Sequence, residues 1–240
     1  MSIAIIIPAY KEADNIEKLI LSILKILKDP VIIVIDDSPN KETHEKIKKF
    51  NNVRYIYRGE KLGRGSAVIE GMKNIVNENE ISKIIEMDAD LSHDPSEIQV
   101  NLKIFEENNL DLLISSRYLK DSRITNWSLR RKIFSALSNR LAKFVLKVPI
   151  TDYTNGFRIY SKDSIKHIVK NCGKIGDGFI ILSEILVELY FNNFKVKEVH
   201  SKFNNRIRGE SSVNLGLILD SFFGLFRIYK KKKKIINKIN

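Results

Sequence analysis

Asp88 and Asp90, two residues apart, follow the apolar pair Ile84-Ile85 and open the loop Leu91-Ser92-His93-Asp94-Pro95. Two carboxylates at the end of a buried strand can share one hard cation with a diphosphate, because Mg²⁺ takes one or two carboxylates plus phosphate oxygens. Taken alone, such a pair is equally a solvated acidic loop. Its neighbours favour chemistry. A second carboxylate pair, Asp36-Asp37, ends the run Val31-Ile32-Ile33-Val34-Ile35, where an acid can accept from a base N–H or a ribose hydroxyl. Pro8-Ala9-Tyr10-Lys11-Glu12 ends the run Ile3 to Ile7. Tyr10 offers a flat face to a base and Glu12 a further ribose acceptor. Asp and Pro also suit ordinary turns. In a parallel α/β sheet, however, ligands bind beyond the carboxyl ends of the strands, so three such ends converge on one crevice.

Lys61-Leu62-Gly63-Arg64-Gly65 precedes a helical stretch. It is not a dinucleotide fingerprint, since Val68 stands where the third glycine belongs and the segment follows the third strand rather than the first. It reads as a tight loop whose backbone approaches a nucleotide.

The elements that must position these residues are legible as alternating short apolar runs and amphipathic stretches. Strands are expected at 3–7, 31–35, 53–57, 83–87 and 112–114, with helices after each of the first four. Asp14 and Glu17 have the spacing of a capping box at the first helix. Alternating β and α elements predict a mostly parallel sheet covered on both faces. After Arg117 the pattern changes. Residues 128–147 form a basic amphipathic stretch, with Leu129, Ile133, Phe134, Leu137, Leu141 and Val145 among Arg130, Arg131, Lys132, Arg140, Lys143 and Lys147. A strand at 157–160, a helix at 180–191 and a strand at 195–199 follow.

The chain has 240 residues and a net charge of +12, a balance that favours an anionic partner. Cys172 is the single cysteine, which excludes an internal disulfide framework and suits a reducing compartment. The N-terminus lacks the features of a signal peptide, and no segment reaches the roughly 20 apolar residues of a spanning helix. Residues 213–229 read as a helix. Gly216, Asp220, Gly224, Arg227 and Lys231 fall on one narrow face, and most of the remainder is apolar. The lysines 230–234 follow at once, the pattern of a helix lying in a membrane interface.

The segments together resemble family-2 glycosyltransferases. Ile7-Pro8-Ala9-Tyr10-Lys11-Glu12, Ile35-Asp36-Asp37-Ser38 and Lys61-Leu62-Gly63-Arg64-Gly65-Ser66-Ala67 fit that family. Asp88-Ala89-Asp90-Leu91-Ser92-His93-Asp94-Pro95 narrows the likeness to dolichol-phosphate mannose synthases and their polyprenyl-phosphate relatives. Ser116-Arg117-Tyr118, Asn126-Trp127 through Arg131, Asn155-Gly156-Phe157-Arg158, and Arg206 with Gly209 and Ser211 continue it in order. The resemblance implies a GT-A-like α/β fold, a mostly parallel sheet flanked by helices with C-terminal interfacial helices. It implies a catalytic unit over 1–212, divided into a nucleotide-sugar half (1–115) and an acceptor half (116–212), with an amphipathic helix and polybasic tail over 213–240.

Carried over by residue, it implies that Asp88 and Asp90 hold Mg²⁺ or Mn²⁺ against the donor diphosphate, with Ser92 beside them. Ser92 stands where relatives often carry glutamine. Pro8, Tyr10, Glu12, Asp36 and Asp37 line the nucleoside pocket, with Lys61, Gly65 and Ala89 on the donor side. Arg117, Arg131, Ser135 and Arg206 grip phosphates, including that of a lipid acceptor; Asp90, Arg117 and Arg131 carry the catalysis. Glu184 is kept from the family pattern, whereas Leu182 replaces a common glutamine.

The implied reaction is inverting transfer of a hexose, mannose from GDP-mannose, to a polyprenyl or dolichyl phosphate, by an enzyme held peripherally on the inner, anionic face of the cytoplasmic membrane. Alternatives are a UDP-glucose-dependent polyprenyl-phosphate glucosyltransferase and, further off, a non-catalytic protein that binds anionic membrane or nucleic acid. Aromatics among the basic runs are too few for base stacking, so no nucleic acid is expected. A haloacid-dehalogenase-like phosphatase is disfavoured because its aspartate motif follows the first strand, not the fourth.

Overall fold

The computed structural model describes residues 2–205 and 215–239. Arg206, Gly209, Ser211 and Val213 lie outside them. Seven strands form one sheet in the order β3-β2-β1-β4-β7-β5-β8. They are β1 (Ser2–Ala9), β2 (Val31–Asp36), β3 (Val53–Tyr57), β4 (Ile81–Glu86), β5 (Leu112–Ser116), β7 (Arg158–Ser161) and β8 (Val196–His200). All neighbours run parallel except β7, which is antiparallel to both β4 and β5. The expectation of a mostly parallel sheet holds. Because β7 comes from beyond residue 115 yet sits between two strands from before it, the halves on either side of that residue share one sheet.

The continuous apolar run of β1 follows from burial on both faces. Ala4 and Ile6 point into one core, and Ile5 and Ile7 into the other. The first core is covered by α3 (Arg64–Ile75), α6 (Lys162–Asn171) and α7 (Ile180–Phe191). The second is covered by α1 (Ala13–Leu24), α2 (Glu42–Ile47) and α4 (Glu97–Glu107). Strands β6 (Arg123–Ile124) and β9 (Lys202–Phe203) make a separate two-stranded parallel ribbon.

Several local expectations need correction. Helix α1 starts at Ala13, with Glu12 at the N-cap and Asp14 inside the first turn. The capping box therefore does not form, and Glu17 instead pairs with Lys49. Helix α6 was not anticipated, although Ile165 and Ile168 at helical spacing are both fully buried and the Ser161 hydroxyl accepts from Ser164 N.

Two later helices diverge in how they pack. In α5 (Leu129–Leu146), capped by Ser128, residues Asn139, Ala142 and Leu146 face inward. Leu129, Ile133, Phe134, Leu137, Leu141 and Phe144 are all exposed. In α8 (Leu215–Ile239) the helix continues through the lysine run. Gly224, Leu225, Ile228 and Ile235 are buried and Lys231 is half-buried, against α7 and the loop before it, while Arg227 lies at the exposed edge of that face. A Cβ at Gly224 would come 2.5 Å from Ile180 Cγ1, so the absent side chain makes room for that contact. Arg227 Nη1 donates to Ile175 O. Lys231 Nζ reaches Asn171 O at 2.6 Å, Glu184 Oε1 at 2.9 Å and Glu188 Oε2 at 2.8 Å. Lys232 is buried too, over the ring of Phe191. The expectation that lysines 230–234 act together on lipid headgroups thus fails for Lys231 and Lys232, which are occupied by the protein. Lys230, Lys233 and Lys234 stay exposed beside Phe223 and Phe226. Among the described residues no helix is long and apolar enough to cross a membrane.

Candidate functional site

Asp88 and Asp90 follow β4 directly. Leu91 then takes a left-handed φ of 60°, and Ser92 N donates to Asp90 Oδ1 at 3.0 Å, closing the turn. Asp90 is buried, while the Asp88 side chain is one-fifth exposed. His93 fixes this loop from behind. The Asp88 amide donates to His93 Nδ1, so Nε2 carries the proton and donates to Asn155 Oδ1 at 2.9 Å. The imidazole is stacked on Phe157 and edge-on to Phe203.

Across the crevice lies Arg117, immediately after β5. Its Nε and Nη2 donate to the two oxygens of Asp152 at 2.8 Å each, and Nη2 also to Thr154 Oγ1. Burial alone would raise the Asp152 pKa; the Arg117 guanidinium and its hydrogen bonds more than reverse this and hold it below the ordinary value. Arg117 is thereby a fixed cation packed between the rings of Tyr118, Trp127 and Phe203. Arg131, in the first turn of α5, lies 4.0 Å from the centre of the Trp127 ring and donates to Asn205 Oδ1. Arg117, Arg131, Trp127, Asp88, Asp90 and Asn155 all line one crevice, with Thr154, Phe179 and Phe203 completing its wall.

Ser135 stands one helical turn beyond Arg131. It accepts from Tyr118 Oη at 2.6 Å, and burial raises the Tyr118 pKa and keeps that phenol a neutral donor. Tyr10 and Lys61 are not among the residues that line this crevice; they meet each other, with Lys61 Nζ 4.7 Å from the Tyr10 ring centre. Glu12 accepts from Asn15 Nδ2. Pro8 is buried within β1 and pairs in register with Ile35, and Ala89 is buried between the two metal-type carboxylates.

The other carboxylate pair serves the fold. Asp36 is fully buried and accepts from Ser38 N, Ser38 Oγ and Tyr55 Oη. Asp37 takes a bidentate Arg58 and the amides of Leu62 and Gly63. It holds the 61–65 loop rather than standing open beside it. The close approach made by Gly63 and Gly65 is likewise internal: a Cβ at either would come within 2.6 Å of backbone oxygens at Asp177 or Gly178. Gly63 also has a φ of 101°.

The carboxylates fit a hard divalent cation by chemistry. Ser92 Oγ, in the same loop, is buried without a hydrogen-bond partner. Among the described residues no three His, Cys, Asp or Glu side chains cluster as a complete metal cage, so phosphate oxygens or water must supply the remaining ligands. Trp127 Nε1 is a second buried donor without a partner at this crevice. Trp127 and Asn155 stood in recognisable segments without a role, and nothing in the sequence pointed to Thr154, Phe179 or Phe203.

A seven-stranded mixed sheet with carboxylates after its fourth strand and an antiparallel insertion beside it is the GT-A architecture. The chain belongs to glycosyl transferase family 2, whose model matches residues 4–169. It is 32% identical to a dolichol-phosphate mannosyltransferase of Pyrococcus furiosus over 98% of this chain, which spans 66% of that relative's length. It is 28% identical to a polyprenol monophosphomannose synthase of Mycolicibacterium smegmatis over 91% of this chain and 83% of the relative. A glucosyl-3-phosphoglycerate synthase of Mycobacterium tuberculosis, solved with Mn²⁺, uridine diphosphate and glucosyl-3-phosphoglycerate, shares the fold. Its TM-score is 0.67 at 14% identity, over 96% of this chain and 79% of that one.

Proposed function

We propose that this glycosyltransferase moves mannose from GDP-mannose onto a polyprenyl or dolichyl phosphate, with inversion at the anomeric carbon. The observation that carries the reading is that Asp88 and Asp90 share one crevice with Arg117 and Arg131. A carboxylate end suited to a cation-bridged donor diphosphate therefore faces an arginine end suited to a second phosphate. The names of the two relatives support the same acceptor class.

Asp88 and Asp90, with Ser92 beside them, would hold Mg²⁺ or Mn²⁺; bound there, the ion neutralises charge on the departing diphosphate. Pro8, Tyr10 and Glu12 line the nucleoside side with Lys61. Asp37 and Gly65 shape that wall from behind, and Asp36 secures the end of β2. The acceptor is a phosphate monoester whose second pKa is about 6, so its oxygen is anionic near neutral pH and requires no general base. What remains is placement and charge stabilisation. Arg117 meets this need because Asp152 fixes its guanidinium before any ligand arrives. Arg131 is flattened on Trp127, and Ser135 lies one turn along the same helix. Arg206 joins this set as a proposal from the sequence.

A lipid phosphate does not leave the membrane, so the enzyme has to approach it. The exposed residues Leu137, Leu141 and Phe144 of α5 and Phe223 and Phe226 of α8, flanked by Arg140, Lys143, Lys230 and Lys233, support peripheral attachment to an anionic cytoplasmic leaflet. The test is product formation by the full chain with dolichyl phosphate in vesicles, Mn²⁺, and either GDP-mannose or UDP-glucose. Mannosyl lipid is expected. Glucosyl lipid alone replaces the donor, and no glycolipid from either rejects the reading. Leu137→Glu with Leu141→Glu leaves the core untouched and is expected to release the chain from anionic vesicles. Removing α8 is the poorer experiment, because it uncovers the fully buried Ile228 contact.

A further inference from the structure

Arg64, the first residue of α3, lies in none of the roles above. Its side chain is 11% exposed, close to fully buried. Nε and Nη2 meet Asp88 Oδ1 at 2.7 and 2.6 Å, and Nη1 meets Glu86 Oε1 at 2.5 Å. Glu86 is wholly buried, and its other oxygen accepts from Tyr160 Oη at 2.7 Å. The guanidinium also packs 5.4 Å from the centre of the Phe179 ring.

The chain makes room for this placement. A Cβ at Gly156 would sit 1.8 Å from Arg64 Nη2, so any side chain there evicts the guanidinium. Gly156 has no positive φ and needs no special backbone freedom. Its lack of a side chain serves Arg64 and Asp88.

We propose that Arg64 is the resident counter-ion of Asp88 and makes the cation site conditional on the nucleotide. This rests on the reading that Asp88 and Asp90 take a divalent ion. With Oδ1 held by Arg64, the Asp88 carboxylate meets a cation with part of its charge already neutralised. A fixed positive charge next to the site also repels the ion directly. The protein therefore binds the free metal poorly. A nucleoside diphosphate arrives with its own negative charge and oxygen ligands, which overcome that repulsion, so ion and donor enter together. Glu86 keeps the guanidinium from swinging away and leaving a bare acidic site. Arg64 is a positioning residue, acting through Asp88.

The experiment is Mn²⁺ binding to the full chain, read by the electron-paramagnetic-resonance signal of free Mn²⁺, with and without saturating GDP or UDP. The wild-type chain is expected to gain at least about tenfold in Mn²⁺ affinity when the nucleotide is present. Arg64→Gln combined with Glu86→Gln avoids a buried unpaired carboxylate and keeps an acceptor for Tyr160. That variant is expected to bind Mn²⁺ alone about tenfold more tightly than wild type, with the nucleotide enhancement correspondingly reduced. Gly156→Ala, which displaces the guanidinium without removing it, is expected to shift affinity in the same direction. Wild-type Mn²⁺ affinity and nucleotide enhancement in either variant, with melting unchanged, overturn the role of Arg64 while leaving the metal reading intact. If no chain binds Mn²⁺ with either nucleotide, the metal reading falls and this inference falls with it.

Discussion

The pairs Asp36-Asp37 and Asp88-Asp90 sit at the ends of two strands that flank β1 on either side, and their chemistry is the same on paper. Their situations differ. Asp36 and Asp37 are saturated by Tyr55, Ser38, Arg58 and two backbone amides. Asp88 and Asp90 line the crevice opposite Arg117 and Arg131. A carboxylate after a strand can tie down the next loop or line a crevice, and the two pairs differ in how far their partners enclose them. The 58–63 segment wraps Asp37 with the Arg58 guanidinium and two amides, whereas Asp90 takes the Ser92 amide and Asp88 the Arg64 guanidinium while both still line the crevice.

This contrast is open to breakage. The largest expected effect is on activity: Asp88→Asn or Asp90→Asn should reduce transfer by about a thousandfold, since charge stabilisation at the reacting centre is lost. Asp90→Asn should melt within about 2 °C of wild type, whereas Asp88→Asn also loosens the ion pair with the near-buried Arg64 and should melt lower. An Asp90 variant that melts far lower would place that carboxylate among the structural ones.

On the acceptor side, Arg131→Ala should lower transfer to lipid phosphate about a hundredfold, with affinity for nucleoside diphosphate little changed. Saturation kinetics in both substrates separate the two. An equal loss in nucleotide binding would move Arg131 to the donor side.

For the structural pair the order reverses. Asp37→Ala strips the buried Arg58 of its partner and should cost about 3 kcal/mol of stability. Calorimetry should register this as a fall of about 6–12 °C for a chain of this size. Unchanged melting would mean that Asp37 is a ligand in waiting.

The smallest effect is in acid. Asp152 is held below the ordinary aspartate value of 3.8 by Arg117. Its contribution to stability is therefore complete above that value and lost as pH falls through the lower folded one. Melting curves of wild type and Asp152→Asn should differ by a constant amount from about pH 5 to 8 and begin to converge only as pH falls below 3.8. A gap that already closes near pH 6 would show that the Arg117 anchor is not what the carboxylate stabilises.

Much of this was legible without coordinates. The runs at 3–7 and 31–35 identify themselves as buried strands because parallel strands covered on both faces need no polar alternation. The pair at 88 and 90 was visible as paired acids at a strand end, but so was the pair at 36 and 37, and the packing around each is what separates them. The ligation of Arg117 by Asp152, 35 residues away, left no local trace. Nor did the arrival of β7 between β4 and β5, since strand order is a property of long-range pairing. Phe179 and Phe203 reach the crevice for the same reason, as ordinary apolar residues whose position is set by distant elements.

The helices α5 and α8 mark the boundary most clearly. Composition and period fix that each has an apolar stripe and a basic one, because residues three and four apart share a face. Which stripe turns inward was decided by the surface each helix met. On α8 the inward positions mix both kinds: Leu225 and Ile228 are buried beside Gly224, where α7 presents Ile180, and Lys231 pairs with Glu184 and Glu188. On α5 the inward positions are Asn139, Ala142 and Leu146, and a row of large apolar side chains is left outside. A periodic sequence defines the two faces of a helix, but only a partner with its own shape and charge selects between them.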